Sequence, residues 1–193
     1  MPNYKPLFKK NLLMMIILVF FILVVILFIN FLYDKKSPSV SLGGSFILTD
    51  QNGEIFNSSK VNLKKLIYFG YTYCPDICPF DLLKISKIFE NNPNLKSEIK
   101  PVFITVDPER DTIKNLKIFM ENFDQSFVAL TGTNEEIKKV LKKFRIYVKL
   151  NKSNLADKDY LIDHSSLIFL LDKNDNYIKF FRPNELKGSI ALN

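Results

Sequence analysis

Residues 66–79 of this chain read LIYFGYTYCPDICP and contain its only two cysteines, Cys74 and Cys78. The apolar run Leu66–Phe69 predicts a buried strand, and the apolar periodicity of residues 82–89 predicts a helix. The cysteines therefore lie where a strand is followed by the N-terminus of a helix. Free backbone N–H groups and the helix dipole at such a place favour the thiolate form of cysteine.

The spacing of the cysteines bears on their chemistry. Three residues separate them, so in a regular helix their Cβ atoms would lie about 5–6 Å apart on one face. A disulfide needs a Cβ separation of about 3.5–4.5 Å, whereas two metal–thiolate bonds of about 2.3 Å each span the pair more easily. Pro79 is tolerated only in the first turn of a helix, which places Cys74 in the preceding loop. The spacing favours a metal and leaves a disulfide open.

The N-terminal region predicts a membrane anchor. Leu12–Ile29 is a run of 18 apolar residues, and about 20 such residues span a bilayer core. A cleaved signal peptide has a shorter apolar region and a small-residue cleavage site, and none follows here. We therefore expect an N-terminal tail and transmembrane anchor over residues 1–33, a polar linker over 34–45 and a folded domain over 46–193.

Charge suggests an orientation and argues against one class of partner. Three lysines precede the apolar run and two follow it beside Asp34, which favours a cytoplasmic N-terminus by a small margin. We expect a single-pass protein of the bacterial inner membrane with its domain in the periplasm, the mitochondrial inner membrane being the less favoured alternative. The formal net charge of +7 falls to +4 without the leader lysines. Such a modest excess gives no reason to expect nucleic acid as a partner.

The remaining pattern predicts an α/β fold. Asn52-Gly53 between two apolar runs is a strong hairpin signal, and Thr133 to Glu136 matches a capping box that opens a helix. Strands alternating with helices and framed by hairpins indicate a central mixed sheet with helices on its faces. The other predicted elements are strands at 102–106, 127–130, 146–150, 167–171 and 177–181, a helix from Thr112 and a polar loop at 151–159.

His164, the only histidine, is the third candidate site residue. It directly precedes the predicted strand 167–171, and ligands at the ends of neighbouring strands converge in the crevice beyond them. Asp163 is a candidate for orienting the imidazole, although adjacent side chains on a strand point opposite ways. Two thiolates and an imidazole suit Cu(I), and zinc also accepts this ligand set with water as the fourth ligand.

Three motifs together resemble the Sco/SenC family of membrane-anchored copper chaperones: YFGYTYCPDICP at 68–79, TVDPERDT at 105–112, and DHS at 163–165. The resemblance extends from the anchor onward. It implies a thioredoxin-like mixed sheet with flanking helices and an N-terminal β-hairpin. It also implies that Cys74, Cys78 and His164 bind copper, with Cu(I) preferred and Cu(II) as the alternative oxidation state.

The resemblance further implies delivery of copper to the binuclear centre of cytochrome c oxidase subunit II during oxidase assembly. That role describes a metallochaperone rather than an enzyme, with other copper donors and the membrane as further partners. A different function stays open: a thiol–disulfide oxidoreductase that reduces the acceptor's cysteines, with Cys74 and Cys78 as its redox pair. A tethered domain with an inert disulfide is the third hypothesis.

The segment Asp107–Asp111 follows the predicted strand 102–106 near the site. The resemblance implies a supporting role for this loop, and Asp107 is the candidate. The more favoured interpretation is that Asp111 or Thr112 caps the helix that follows.

We expect a reporter that folds only outside the cytoplasm to be active when fused after Asn193, because the lysine distribution around the apolar run favours a cytoplasmic N-terminus. A reporter whose folding requires disulfides measures this. The same fusion without residues 1–33 is the control and should be inactive. A full-length fusion as inactive as the control would overturn the orientation.

Overall fold

The computed structural model describes residues 5–34, 42–75, 77–151 and 160–186. The chain divides into two units, Met1–Val40 and Ser41–Asn193. Residues 35–41 of the expected linker and 152–159 of the expected polar loop lie outside the described residues. The domain boundaries inferred from the sequence remain predictions.

The first unit contains one helix, α1, which spans Lys5–Asp34. Its segment Asn11–Asn30 is long and apolar enough to cross a membrane, and none of that segment is buried inside the protein. At 1.5 Å per residue, 20 residues extend about 30 Å, which matches the hydrocarbon core of a bilayer. The expected apolar helix is confirmed, and its exposed apolar side chains fit a membrane anchor.

The second unit is built from strands and three further helices. The strands are β1 (Ile47–Asp50), β2 (Ile55–Asn57), β3 (Lys64–Gly70), β4 (Ile99–Thr105), β5 (Val128–Thr131), β6 (Val148–Asn151), β7 (Leu161–His164), β8 (Ile168–Leu171) and β9 (Tyr177–Phe181). The helices are α2 (Ile77–Asn91), α3 (Ile113–Met120) and α4 (Asn134–Phe144), with short 3-10 helices at Ser58–Lys60 and Pro93–Ser97. The predicted mixed α/β architecture is confirmed.

Strand order determines where the ends of the strands meet. The main sheet runs β2-β1-β5-β4-β3-β8-β9. Strands β3, β4 and β5 are parallel, and β8 is antiparallel to β3 with Tyr68 opposite Ile168. The carboxyl ends of β3 and β4 therefore share one edge with the amino end of β8. Among the described residues, strands β6 and β7 pair only with each other, in a separate two-stranded sheet.

Local sequence signals account for several boundaries. The β1–β2 hairpin turns at Gly53, which has a φ of 88° that glycine adopts without steric cost. The Asp50 side chain accepts hydrogen bonds from two backbone N–H groups of that turn. Thr133 and Glu136 form the predicted capping box of α4, and Thr112 caps α3. The expected N-terminal hairpin is confirmed.

Strand β3 lies in the interior of the sheet, because β4 and β8 pair with it on either side. Its residues from Lys65 to Gly70 are all buried. Phe69 packs against Phe144 of α4 and Phe169 of β8, with ring centroids 5.2 and 5.9 Å away. The loop that follows Gly70 therefore begins at a buried, well-packed position.

One ion pair in the core was not predicted by the apolar pattern of the sequence. Lys65 and Asp175 have fully buried side chains, and Nζ lies 2.8 Å from the carboxylate. Lys65 also donates to the Lys173 carbonyl at 3.0 Å, and Asp175 accepts from the Ser58 hydroxyl at 2.7 Å. Within the part of the chain that the structure describes, Asp175 Oδ1 has the Lys65 ammonium as its ion-pair partner and no hydrogen bond, and the contacts together join β3 to the β8–β9 turn. Breaking such a pair is costly because one charge remains buried without its partner.

We expect Lys65→Met to lower the free energy of unfolding by about 3–5 kcal/mol, because Asp175 would lose its counterion. Urea unfolding of the full chain in detergent, followed by tyrosine fluorescence, measures this. Lys114→Met, at an exposed position in α3, is the control and should change stability by less than about 0.5 kcal/mol. Adding Asp175→Asn to Lys65→Met should recover part of the loss. Equal stability of Lys65→Met and the control would refute the interpretation.

Candidate metal centre

The two cysteines occupy the β3–α2 connection. Cys74 lies in the loop and is half-buried, and Cys78 lies in the first turn of α2 and is fully buried. The Cys74 N–H donates to the Tyr71 carbonyl at 3.2 Å, which closes the turn. Pro79 falls in the first helical turn, as its missing N–H requires. The inference from Pro79 that Cys74 precedes the helix is confirmed.

His164 faces Cys78 from the other side of the site. The sequence placed this histidine immediately before a buried strand, and the structure places it at the end of β7, opposite Val148 of β6. His164 Nε2 lies 3.1 Å from Cys78 Sγ. Its Nδ1 lies 3.3 Å from the Ser165 carbonyl oxygen. The hairpin β6–β7 thus supplies the imidazole, and α2 supplies the thiol.

The structure brings all three predicted ligands together. The ligand atoms of Cys74, Cys78 and His164 lie within 4.8 Å of one another. Two donors bound to one ion at about 2.3 Å each can be at most about 4.6 Å apart. Small side-chain rotations are therefore sufficient to close the three donors on a single ion. The donor set and its dimensions fit a soft metal ion.

The surroundings of Cys78 disfavour its thiolate form, contrary to the expectation from the helix N-terminus. The hydrogen bond with Cys74 and burial both raise the pKa of the Cys78 thiol. Burial likewise raises the pKa of Tyr68, whose hydroxyl donates to Asp81 at 3.1 Å. A metal ion that binds Cys78 must therefore displace the thiol proton, so binding releases protons.

Gly70 makes room for the buried thiol. A Cβ atom at this position would lie 3.2 Å from Cys78 Sγ and 3.0 Å from a ring carbon of Phe103. Both distances are shorter than ordinary van der Waals contact between such atoms. The absence of a side chain at the end of β3 lets the first turn of α2 pack directly against the strand.

Asp111 anchors the cysteine loop rather than capping a helix. Its fully buried carboxylate accepts hydrogen bonds from the Thr72 N–H at 3.0 Å and from the Thr105 hydroxyl at 2.6 Å. Thr112 caps α3 through its hydroxyl, which accepts from the Asn115 N–H. The expectation that Asp111 or Thr112 caps this helix is therefore met by Thr112. Asp111 instead links the end of β4 to the loop that carries Cys74.

The two candidate supporting carboxylates occupy different environments. Asp107 is buried, accepts from the Tyr160 hydroxyl at 2.8 Å and pairs with Arg110 Nε at 2.5 Å. Asp163 lies on the exposed face of the hairpin and accepts from Asn151 at 2.7 Å. Alternation along β7 turns its side chain away from that of His164. The placement of Asp107 fits a supporting role, and that of Asp163 does not.

Sequence reasoning missed an aromatic group beside the site. The Arg110 guanidinium carbon lies 3.6 Å from the Tyr160 ring centroid, 4.9 Å from that of Tyr73 and 5.6 Å from that of Tyr71. Tyr71 in turn meets the His164 ring edge-on, with centroids 6.0 Å apart. Arg110 and the tyrosines at 71 and 73 lie within the two longer motifs, so the signal was available there. Tyr160 follows the polar loop and carries no pattern of its own.

Fold and site together define a thioredoxin-like domain in which an imidazole faces a pair of thiols at the edge of a mixed sheet. The chain belongs to the SCO1/SenC family, whose model matches residues 34–192. The family resemblance inferred from the three motifs is therefore confirmed. The predicted thioredoxin-like fold with one N-terminal apolar helix is confirmed as well.

Individual relatives support this assignment. An SCO2-like protein of Rickettsia prowazekii is 50% identical over 152 residues, which are 78% of this chain and 72% of that protein. ScoI of Bradyrhizobium japonicum, solved with copper bound, gives a TM-score of 0.69 at 38% identity and covers 74% of this chain and 90% of its own. BsSco gives a TM-score of 0.58 at 23% identity and covers 78% of this chain and 88% of its own. This likeness shows the shared fold. BsSco contains a disulfide switch and belongs to the Sco family of cytochrome c oxidase assembly proteins.

We expect alkylation of the reduced, metal-free protein to distinguish the two thiols. Iodoacetamide should modify half-buried Cys74 much faster than buried Cys78, with the modified peptides measured by mass spectrometry. A raised pKa favours the neutral thiol, so alkylation of Cys78 should keep increasing with pH beyond the usual thiol pKa of about 8.5. The urea-unfolded chain is the control and should show similar rates at both cysteines. Equal rates in the folded chain would contradict the described environment of Cys78.

Proposed function

We propose that this protein is a membrane-tethered copper chaperone that delivers copper to the binuclear centre of cytochrome c oxidase subunit II during oxidase assembly. The observation that carries the proposal is the convergence of Cys74, Cys78 and His164 within 4.8 Å. Family membership supports it, since a related ScoI protein has been solved with copper bound. The Sco family to which BsSco belongs takes part in cytochrome c oxidase assembly.

The donor set favours Cu(I) as the cargo. Thiolates are soft ligands that select Cu(I), and imidazole suits copper as well as zinc. Zinc would complete a tetrahedron with water, and Cu(II) is the alternative oxidation state of the cargo. Cu(I) accepts low coordination, so two thiolates and one imidazole satisfy it without a fourth ligand. Copper fits the three donors best.

The exposure of the site fits a protein that must release its metal. Cys74 and His164 are half-buried, so one side of the bound ion would face solvent, whereas Cys78 is fully buried. An acceptor's thiolate can approach from the open side and replace the more exposed ligands first. A cargo site needs this stepwise exchange, because a closed four-ligand site would retain the ion.

The tether supports delivery to a membrane-bound acceptor. We propose that α1 anchors the protein as a single-pass chain in the bacterial inner membrane, with the domain of residues 46–193 in the periplasm. Confinement to the same membrane raises the effective concentration of donor and acceptor without new contacts between them. Other periplasmic copper carriers are candidates for loading the site. The whole arrangement describes a carrier rather than an enzyme.

Thiol–disulfide exchange is the second candidate function. The proximity of the Cys74 and Cys78 sulfur atoms, which lie within 4.8 Å of each other, is the observation that favours it. Oxidation of the two thiols to a disulfide would release two electrons and two protons, which would convert an acceptor disulfide to two thiols. The attacking thiol would be half-buried Cys74, because the raised pKa of buried Cys78 disfavours the thiolate that exchange requires.

We expect His164→Ala to separate the two functions. Copper retention needs the imidazole, so the affinity for Cu(I) should fall by more than about 100-fold, which exceeds the 10- to 100-fold losses caused by residues behind metal ligands. Dithiol exchange has no required role for this residue and should persist. The measurements are Cu(I) competition against a chelator, the exchange rate with a dithiol substrate, and oxidase activity in cells carrying the variant.

Two further variants serve as controls for this result. Cys74→Ser should abolish both tight Cu(I) binding and exchange, which identifies loss of the whole site. Lys114→Met, at an exposed position in α3, should leave copper binding, exchange and oxidase activity unchanged. Normal oxidase activity in His164→Ala cells, with exchange intact, would reject the chaperone function and favour the redox one.

A further inference from the structure

The position of His164 depends on how the β6–β7 hairpin docks onto the domain. The two strands hydrogen-bond to each other and to no strand of the seven-stranded sheet. Thiol ligands on the β3–α2 connection are placed by the main core, whereas the imidazole is placed by a separate element. The contacts that β7 makes with the domain therefore determine whether the third ligand faces the thiols.

Tyr71 contacts both parts of the site. It is the first residue after β3, and only 2% of its surface is exposed. Its carbonyl accepts the hydrogen bond from the Cys74 N–H at 3.2 Å. Its hydroxyl accepts from the Ile162 N–H at 3.2 Å, two residues before His164 on the same strand. The Tyr71 ring also meets the imidazole edge-on at 84°.

A second polar contact holds the start of the same strand. The Tyr160 hydroxyl donates to Asp107 at 2.8 Å, and both residues are buried. Asp107 pairs with Arg110, whose guanidinium group lies 3.6 Å from the Tyr160 ring centroid and 5.6 Å from that of Tyr71. Asp107 and Arg110 thus connect Tyr160, which precedes β7, with Tyr71, which hydrogen-bonds to β7. Buried and hydrogen-bonded groups of this kind restrict the hairpin to one docked position.

We propose that Tyr71 is a positioning residue for copper binding, which holds β7 so that His164 Nε2 faces Cys78, with the Tyr160–Asp107 hydrogen bond as the second tie. This assignment rests on the proposed copper function. A metal–nitrogen bond is about 2.0–2.1 Å long and tolerates little error. Loss of the Tyr71 hydroxyl would leave the Ile162 N–H without its acceptor, and a small shift of β7 would take the imidazole out of bonding range.

Tyr71→Phe tests the assignment, because it removes the hydroxyl and retains the ring. We expect about a 10-fold or greater loss of Cu(I) affinity, the lower end of the range for residues that orient metal ligands. Competition against a Cu(I) chelator with the full chain in detergent measures it. Tyr73→Phe is the matched control, because it removes an exposed hydroxyl from the same loop, and it should leave the affinity unchanged.

A double-mutant cycle distinguishes positioning from general destabilisation. If Tyr71 acts through His164, then Tyr71→Phe should weaken binding in the parent and change it less than about twofold in a His164→Ala background. Tyr160→Phe, which removes only the second tie, should show the same dependence on His164. X-ray absorption of the copper-loaded Tyr71→Phe protein should show reduced scattering from an imidazole ligand.

Two results would overturn the assignment. One is parent-like affinity and imidazole scattering in Tyr71→Phe, and the other is an equal loss of affinity in the parent and His164→Ala backgrounds. Failure of the parent protein itself to bind Cu(I) would instead reject the proposed copper function. The two failures are therefore distinguishable in one set of measurements.

Discussion

The 3.1 Å contact between Cys78 Sγ and His164 Nε2 joins residues 86 positions apart, and it depends on the antiparallel pairing of β8 with β3. Parallel pairing would place the start of β8 at the opposite edge of the sheet from the end of β3. The antiparallel strand instead brings the segment before it back to the cysteine loop. Gly70 then lets α2 approach closely enough for the thiol to reach the imidazole.

Burial gives the site a chemical preference. A thiol that is fully buried and hydrogen-bonded to a second thiol has a raised pKa and makes a poor nucleophile at neutral pH. A metal ion reverses this balance, because its charge stabilises the thiolate far more than a neighbouring neutral thiol can. The environment of Cys78 is therefore better suited to exchanging a proton for a cation than to attacking a disulfide.

The ligands are divided between a rigid part and a docked part. The cysteine loop leaves the most buried strand of the sheet and is held by Asp111 through Thr72 and Thr105. The imidazole lies on a hairpin that docks onto the domain through the buried side chains of Tyr160 and Ile162 and through the Tyr71 hydroxyl.

Local sequence patterns determined β3, the N-terminal hairpin, the capping box of α4 and the apolar helix, because periodicity, turn chemistry and caps act over a few residues. The motifs also indicated Cys74, Cys78 and His164 as a set. Only the tertiary structure decided that β6 and β7 stand apart from the main sheet, that Asp111 anchors a loop, and that Asp163 faces away from the imidazole. It alone paired Asp175 with Lys65, a buried lysine that the apolar pattern could not indicate. Each of these features depends on side chains from distant segments, and no local pattern records which distant partner a polar group will meet.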